Sequence, residues 1–405
     1  MMLIKLAFRN LLRNRRRTYI TATAIGLGLA CLILLDGFII GFEQNTIKNV
    51  TTTFLGEAQI HHPNFKIYQE VEYLVKNLDE VETQLKSNSK IAFYSKRTLS
   101  PAMLSSAANM RNVQLIGVIP EMEREISRLH LSIREGRHLL HSNEILIGQG
   151  LAGRLKLKIN EKLVVTTAEA KSGELKQDLM RVAGIFKFGA RELDNDIAFI
   201  LLKKSQELID VGDQVHEVVL KFKKLEESAN ADSPIFKSIQ NTGNQVEYWG
   251  EIVPAIRHSL EMSTTSTGII SAVLIFLVVL AVINTMFMSL YERLFEFGVL
   301  RAIGTKAFQI VILVVCESGL LALFSIAIGY IITGILGYIL ITKGIDYTGL
   351  EMGDVTFNEP IYFVPRTYQF IYYPTLMFFW TLAAGLYPAI YASRITLAKA
   401  IKKSL

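Results

Sequence analysis

The chain has 405 residues, half of them hydrophobic, with mean hydropathy +0.32. A soluble globular protein of this length does not need so much apolar content. The net charge of +6 would suit a nucleic-acid binder, but the basic residues cluster beside long apolar runs, which points to a membrane instead and to no nucleic-acid partner.

Residues 1–17 read as an amphipathic helix lying on a membrane surface. Leu3, Leu6, Ala7, Asn10, Leu11 and Asn14 alternate with basic positions, so one face can be buried while Lys and Arg stay near anionic headgroups. The apolar run 19–40 is the first of four long enough to cross a hydrocarbon core of about 30 Å, and the span is placed at 18–42. It reads as an uncleaved signal anchor. Cys31 follows Gly-Leu-Ala, yet the apolar run continues behind it, so it is not a lipoprotein processing site. With Cys316, also inside an apolar run, it offers no disulfide framework. Ala22, Gly26 and Ala30 form a small-residue stripe, extended by Gly37 and Gly41. Such spacing lets helix backbones approach closely, either inside one subunit or across a dimer. Asp36 interrupts the span near its end, at about headgroup depth, since residues 19–35 alone measure about 26 Å as a helix.

Residues 43–262 are polar and long enough for one or two folded domains. The spacing predicts strands over 51–61, 113–118, 145–147, 163–167, 180–186, 197–202, 215–222 and 245–249. Helices are predicted over 68–86 and 236–242, with a short helix or turn at 151–157 and a polar linker at 228–233. This is a mixed α+β region with a β-rich middle.

The second apolar run, 268–290, gives a span at 266–290. Behind it, residues 291–308 include the phrase YERLFEFGVLRAIGTK. On a helix, Glu292, Arg293, Glu296 and Arg301 form a charged face, and Leu294, Phe295, Phe297, Leu300 and Ile303 an apolar one. Gly298 allows close approach or a bend. Leu294, Phe297 and Ile303 are the expected anchors in a partner's groove. The third span is placed at 309–342 and carries Glu317, which is expected to face the bundle interior or the membrane interface. A short loop, 343–369, leads to the fourth span at 370–392 and a tail at 393–405. Tyr291, Tyr368, Tyr372 and Tyr391 lie near span ends, where amphipathic rings suit the interface.

Charge placement sets the expected orientation. Lys5, Arg9, Arg13, Arg15, Arg16 and Arg17 precede the first span, Arg293, Arg301 and Lys306 follow the second, and Arg394, Lys399, Lys402 and Lys403 follow the fourth. The loop 343–369 has only Lys343 and Arg366, against Asp346, Glu351, Asp354 and Glu359. The positive-inside rule therefore puts both termini and 291–308 in the cytosol and 43–262 outside.

The phrase E-R-x-x-E-F-G-V-L-R-A-I-G at 292–304 resembles the cytosolic coupling segment of FtsX/MacB-like permeases, the membrane subunits of ABC transporters. GVIPEMERE near Gly117, IGQGLAGRLKL near Gly148, VAGIFKFG ending at Gly189 and the closing LYPAIYASR are similar to the same family, closest in feel to its lipoprotein-release members. Leu397 stands where the family's tail usually has proline, and Asp36 where lipoprotein-release relatives often have a polar amide. The resemblance implies four transmembrane helices with a large extracytoplasmic domain between the first two, made of a porter-like α+β part and a β-rich insert. It implies cytosolic ABC ATPase subunits as partners, a second permease chain as homo- or heterodimer mate, membrane lipid, and a lipoprotein or periplasmic partner, all at a bacterial inner membrane. It also implies ATPase coupling through residues 292–303.

No enzymatic motif competes with this reading. There is no phosphate-cradling G-x-x-x-x-G-K-[ST], so ATP hydrolysis is assigned to a separate subunit and no cofactor is expected. His216-Glu217 begins like a zinc-protease motif, but Leu220 stands where the second His is required. His61-His62-Pro63 reads as a strand-end turn. The expected function is conversion of ATP hydrolysis into motion of the outer domain on a lipophilic cargo such as a lipoprotein. The alternatives are activation of an extracytoplasmic wall hydrolase, or efflux of drugs or peptides.

Overall fold

The computed structural model describes residues 2–68, 70–228, 234–348, 351–352, 355–356 and 359–394. The expected linker residues 229–233 and the tail beyond residue 394, with Leu397, Lys399, Lys402 and Lys403, lie outside the described residues. The chain divides into a helical unit, Met1–Glu43, Leu260–Asp346 and Pro360–Leu405, and a sheet unit, Gln44–Ser259 and Tyr347–Glu359.

The helical unit is built from α1 (Met2–Arg13), α2 (Arg15–Val50), α3 (Pro254–Glu292), α4 (Leu294–Ala302), α5 (Ala307–Thr342) and α6 (Gln369–Ser393). Among them α2, α3, α5 and α6 are long and apolar enough to cross a membrane. Ile25, Leu29 and Ile33 of α2 pack with Val282 and Met286 of α3, Leu313 and Leu321 of α5, and Met377 and Ala384 of α6. Their other faces stay apolar and exposed, as at Ile269, Phe276, Leu277, Ile331 and Ile335. A helix that is hydrophobic all round suits lipid on one side and protein on the other.

In the sheet unit the expected strand over 51–61 is corrected. Thr51–Leu55 is a π-helical turn, and the strand β1 covers only Ala58–His61. The threonines would favour a strand by propensity. Instead Thr51, Thr52 and Thr53 donate their hydroxyls to the carbonyls of Ile47, Lys48 and Asn49 at 2.8, 2.6 and 2.6 Å, which carries the helical path on. It ends where Gly56 turns to φ +74°.

The other strands are β2 (Ile91–Ser105), β3 (Met110–Val118), β4 (Ile133–Gly136), β5 (Glu144–Gly148), β6 (Lys162–Ala168), β7 (Leu175–Phe186), β8 (Ile197–Leu201), β9 (Glu217–Phe222) and β10 (Gln245–Tyr248). The antiparallel order β10-β1-β9-β2 makes one sheet, covered on one face by helices Leu78–Ser87 and Pro234–Gln240. Then β2, β3, β8, β5, β7 and β6 pair in a closed ring, because β6 bonds both β7 and the end of β2. All six strands of the ring contribute to one core, with Leu104, Leu115, Ile147, Val165, Val182 and Ile200 inside. This is the porter-like part and β-rich insert expected from the resemblance.

The helix expected over 68–86 begins only at Leu78. Before it the backbone is engaged elsewhere. Val75 N–H donates to Val215 O at 2.8 Å, and Asn244 bonds both the N–H and the carbonyl of Lys76 at 2.8 Å. Strand β2 has no counterpart among the strands predicted from sequence, and it contains Pro101, a residue that ordinarily argues against a central strand. The structure shows why proline is tolerated. One edge of β2 pairs with β9 up to Arg97 and with β6 only from Ala102, so residue 101 faces no donor-requiring partner on that edge.

The second face of the porter-like sheet is charged. Register aligns His61, Glu217 and Arg97 across β1, β9 and β2. Arg97 is fully buried and donates to Glu123 at 2.6 Å, to Glu217 at 3.2 Å and to Phe54 O at 2.8 Å, with its guanidinium 4.0 Å above the Phe54 ring. Burial pushes Glu217 up, and the Arg97 charge offsets only part of that.

Candidate functional site at the coupling segment

Helix α4 is short and lies between two spans. Arg293 is not helical, and α4 stops ahead of Gly304, which adopts φ +98°. Within this turn-helix-turn the side chains divide. Phe297 is 1% exposed and belongs to the core of the helical unit, with Leu294 and Leu300 packed against the same core. Gly298 is buried beside it. Phe295, Val299 and Ile303 are 52%, 38% and 75% exposed. They stand at i, i+4 and i+8, a single stripe.

This corrects the expected anchors. Phe297 faces the chain's own bundle and is unavailable to a partner, and Leu294 is half-buried there too. Hydrophobic periodicity finds the apolar residues of a short helix but does not say which of them the bundle takes. Val299, absent from the expected set, joins Phe295 and Ile303 on the outside.

Among the charged residues, Arg293 turns inward. Arg293 donates to Glu317 of α5 at 2.7 Å and to Glu296 at 3.1 Å, with its guanidinium 5.1 Å from the Phe297 ring centroid. Arg293 and Glu317 are both buried. Asn10 of α1 donates to the same Glu317 oxygen at 2.6 Å. Arg13 pairs with Glu296 at 2.6 Å, and Arg17 with Glu292 at 2.9 Å. Burial alone would lower the Arg293 pKa, but the Glu317 carboxylate beside it raises it, so the guanidinium stays charged. Burial would raise Glu296, yet hydrogen bonds from Arg13 and Arg293 hold it below the usual carboxylate range. Glu317 thus faces the bundle interior with a named partner. Asn10, Arg13 and Arg17 are contributors that sequence spacing cannot reveal, being more than 270 residues from their partners. Arg301 is exposed at the end of α4.

The small-residue stripe resolves to packing inside the subunit. Ala22 and Ala30 are fully buried, and a Cβ on Gly26 would stand 2.7 Å from Ser325 O and 3.0 Å from Gly329 N of α5. Gly26→Leu is expected to block assembly of the helical unit itself, so monomer folding is lost along with any crosslink between subunits; a folded Gly26→Leu monomer in detergent gel filtration would refute this. Gly37 and Gly41 serve a different neighbour. A Cβ on Gly37 would enter the Phe363 ring, and one on Gly41 would meet Tyr362 O, so both receive the segment 362–364. Asp36 accepts hydrogen bonds from Tyr368 and, at 2.7 Å, from Gln369 of α6. It lines a cavity of about 560 Å³ with Glu43, Thr264 and Tyr372.

The histidine pairs have structural partners. His216 is buried, its Nδ1 accepting from Leu99 N–H at 3.2 Å and its Nε2 facing Val71 O at 3.0 Å. Burial pushes its pKa down to about 4. Glu217 belongs to the Arg97 cluster. His61 ends β1, and Phe65 N–H donates to His62 O at 2.9 Å in the turn that follows.

The family of FtsX-like permease C-terminal regions matches residues 268–397, and the family of MacB-like periplasmic core domains matches residues 18–234. The chain is 21% identical to the lipoprotein-releasing system transmembrane protein LolC of Neisseria meningitidis, over 86% of this chain and 83% of that one. It is 22% identical to an uncharacterized ABC transporter permease of Methanocaldococcus jannaschii, over 88% and 87%. Among solved structures, the periplasmic region of MacB from Actinobacillus actinomycetemcomitans is similar at TM-score 0.36 and 11% identity, covering 53% of this chain and 95% of that one. The extracellular domain of the transporter YknZ from Gram-positive bacteria gives TM-score 0.34 and 10% identity, covering 47% and 98%.

Proposed function

We propose, from the premise that this chain belongs to the family of ABC transporter permeases with an FtsX-like C-terminal region and a MacB-like periplasmic core domain, that it converts ATP hydrolysis by separate ABC ATPase subunits into motion of its sheet unit. The observation that carries the reading is the division of α4. One face is clamped to α1 and α5 through Phe297, Arg293, Glu296 and Glu317, while Phe295, Val299 and Ile303 are left exposed. A helix fixed on one side and apolar on the other can receive a push and pass it to the spans behind it. Two such chains would pair over two ATPases. The likeness to a lipoprotein-releasing protein supports a lipid-anchored cargo drawn from the membrane.

Exposed apolar anchors carry more interface energy than rim charges. Phe295→Ala with Ile303→Asp is therefore expected to lower co-purification of the ATPase by about tenfold while leaving the fold intact. Phe297→Ala acts through the core instead and should cost about 3–5 kcal/mol of stability. Pull-down and thermal unfolding of both variants separate the two roles, and normal ATPase capture by the double variant would remove the proposed contact.

The orientation follows from the same reading. In a chain lacking Cys31 and Cys316, a cysteine at Ser87 should react with a membrane-impermeant thiol reagent in intact spheroplasts, and one at Lys306 should not. Labelling at Lys306 would reverse the assignment.

A further inference from the structure

We propose that the groove between α1, the start of α2 and the middle of α5 is a binding site for one anionic phospholipid. The groove encloses about 220 Å³ and is lined by Phe8, Leu11, Leu12, Tyr19, Leu323 and Phe324 among others, with Arg15 the charged residue of its lining. Its apolar walls are open to the outside. Phe8, Tyr19, Leu323 and Phe324 are 50%, 50%, 55% and 42% exposed. Tyr19 and Phe324 meet edge to face at 5.9 Å and form one wall. The Thr18 hydroxyl donates to Leu11 O at 2.7 Å and fixes the bend between α1 and α2. The cleft is therefore set by the α1–α2 corner, and its lining holds no carboxylate.

The charge pattern chooses the headgroup. Arg13 and Arg17 are neutralised by Glu296 and Glu292. Arg9, Arg15 and Arg16 have no carboxylate partner among the described residues. The arginines facing α4 are thus satisfied from within the chain, and Arg15 in the groove lining is not. A phosphodiester with a net negative charge supplies what Arg15, and Arg16 next to it in sequence, lack, and its acyl chain covers Phe8, Leu323 and Phe324. A zwitterionic lipid offers the chain but not the net charge. This inference does not depend on the ATPase reading, because the site lies wholly within the helical unit.

The test uses the full chain reconstituted in vesicles of equal phosphatidylglycerol and phosphatidylcholine, extracted in mild detergent, with retained lipid identified by native mass spectrometry. Phosphatidylglycerol should be retained over phosphatidylcholine by about fivefold for each of the two arginines. Arg15→Gln with Arg16→Gln should abolish that preference, and Arg15→Lys should keep it. Ala327→Trp, which fills the groove without touching a charge, should release the lipid from a chain whose thermal unfolding is unchanged. Equal retention of the two lipids by the native chain overturns the proposal. So does undiminished phosphatidylglycerol retention in Ala327→Trp, which would place the lipid elsewhere on the basic surface.

Discussion

Arg293→Ala is expected to destabilise the helical unit by about 3–5 kcal/mol, because it leaves the Glu317 carboxylate buried without its cation. Asn10 remains as a donor at 2.6 Å but carries no charge. Glu317→Ala should cost a similar amount by stranding Arg293, softened by the second contact to Glu296 at 3.1 Å. The double variant Arg293→Met, Glu317→Met should regain most of the loss, since a packed apolar pair often replaces a buried ion pair without penalty. Denaturation in mixed micelles measures all three. The double variant also isolates transmission from folding. With Phe295, Val299 and Ile303 untouched it should still bind the ATPase, yet the directional tie between α4 and α5 is gone. ATP-driven cargo release should fall about tenfold while binding persists. A double variant with normal release would show that Phe297 packing alone carries the motion.

Arg97→Met should have a comparable effect in the sheet unit. Arg97 answers two carboxylates, Glu123 and Glu217, in a fully buried row, so its removal leaves both uncompensated and should cost about 3–5 kcal/mol near neutral pH. The pH dependence has a definite sign. Glu217 already has a raised pKa through burial, and losing the Arg97 charge raises it further. A carboxyl raised in the folded state imposes its penalty above the folded pKa and loses it as the pH falls toward the unfolded value. The deficit of the variant should therefore shrink on acidification. The native chain runs the other way. Burial would raise Glu144, but Arg137 and the N–H groups of Leu140 and His141 hold it at about 2, and Lys66 and His61 do the same for Glu247 against its burial. Those contributions are present above the unfolded pKa and fade as the pH drops toward 2. His216, held by burial at about 4, also destabilises the fold once the pH passes below the ordinary histidine value. Trp249 fluorescence in a Trp380→Phe background follows the sheet unit alone. A variant whose deficit is constant from pH 8 to pH 5 would contradict the assignment.

The four spans were legible because lipid and a protein core both demand apolar residues, so no periodicity had to be resolved. Residues 291–308 stood out for the opposite reason, as a short charged amphipathic stretch between two such runs. What could not be read was which apolar side chain the bundle keeps. Phe295 and Phe297 are equivalent in composition, and only the neighbouring core separates them. The Arg293–Glu317 pair was invisible because Glu317 stands inside an apolar run with no sign of its partner. In the sheet unit, most strands announced themselves by apolar content. Strand β2 did not, since Lys96, Arg97 and Pro101 each look like breakers until the partner-free edge and the buried carboxylates are seen. The threonines at 51–53 misled in the reverse sense, because a hydroxyl that returns to the preceding turn can override β-branched preference.

Strand β2 has a consequence for any attempt to shorten or graft this protein. Its first half is a rung of the open sheet and its second half a stave of the ring, on one uninterrupted backbone. A one-residue insertion near Thr98 would invert every side chain beyond it, putting Pro101 and Met103 where Ala102 and Leu104 fill the ring's interior. The ring therefore cannot be excised as a cassette and replaced by a linker. An exchange with a relative must carry the whole of β2 in register, and the safer seams lie in the exposed turns at Ser106–Asn109 and Lys171–Glu174.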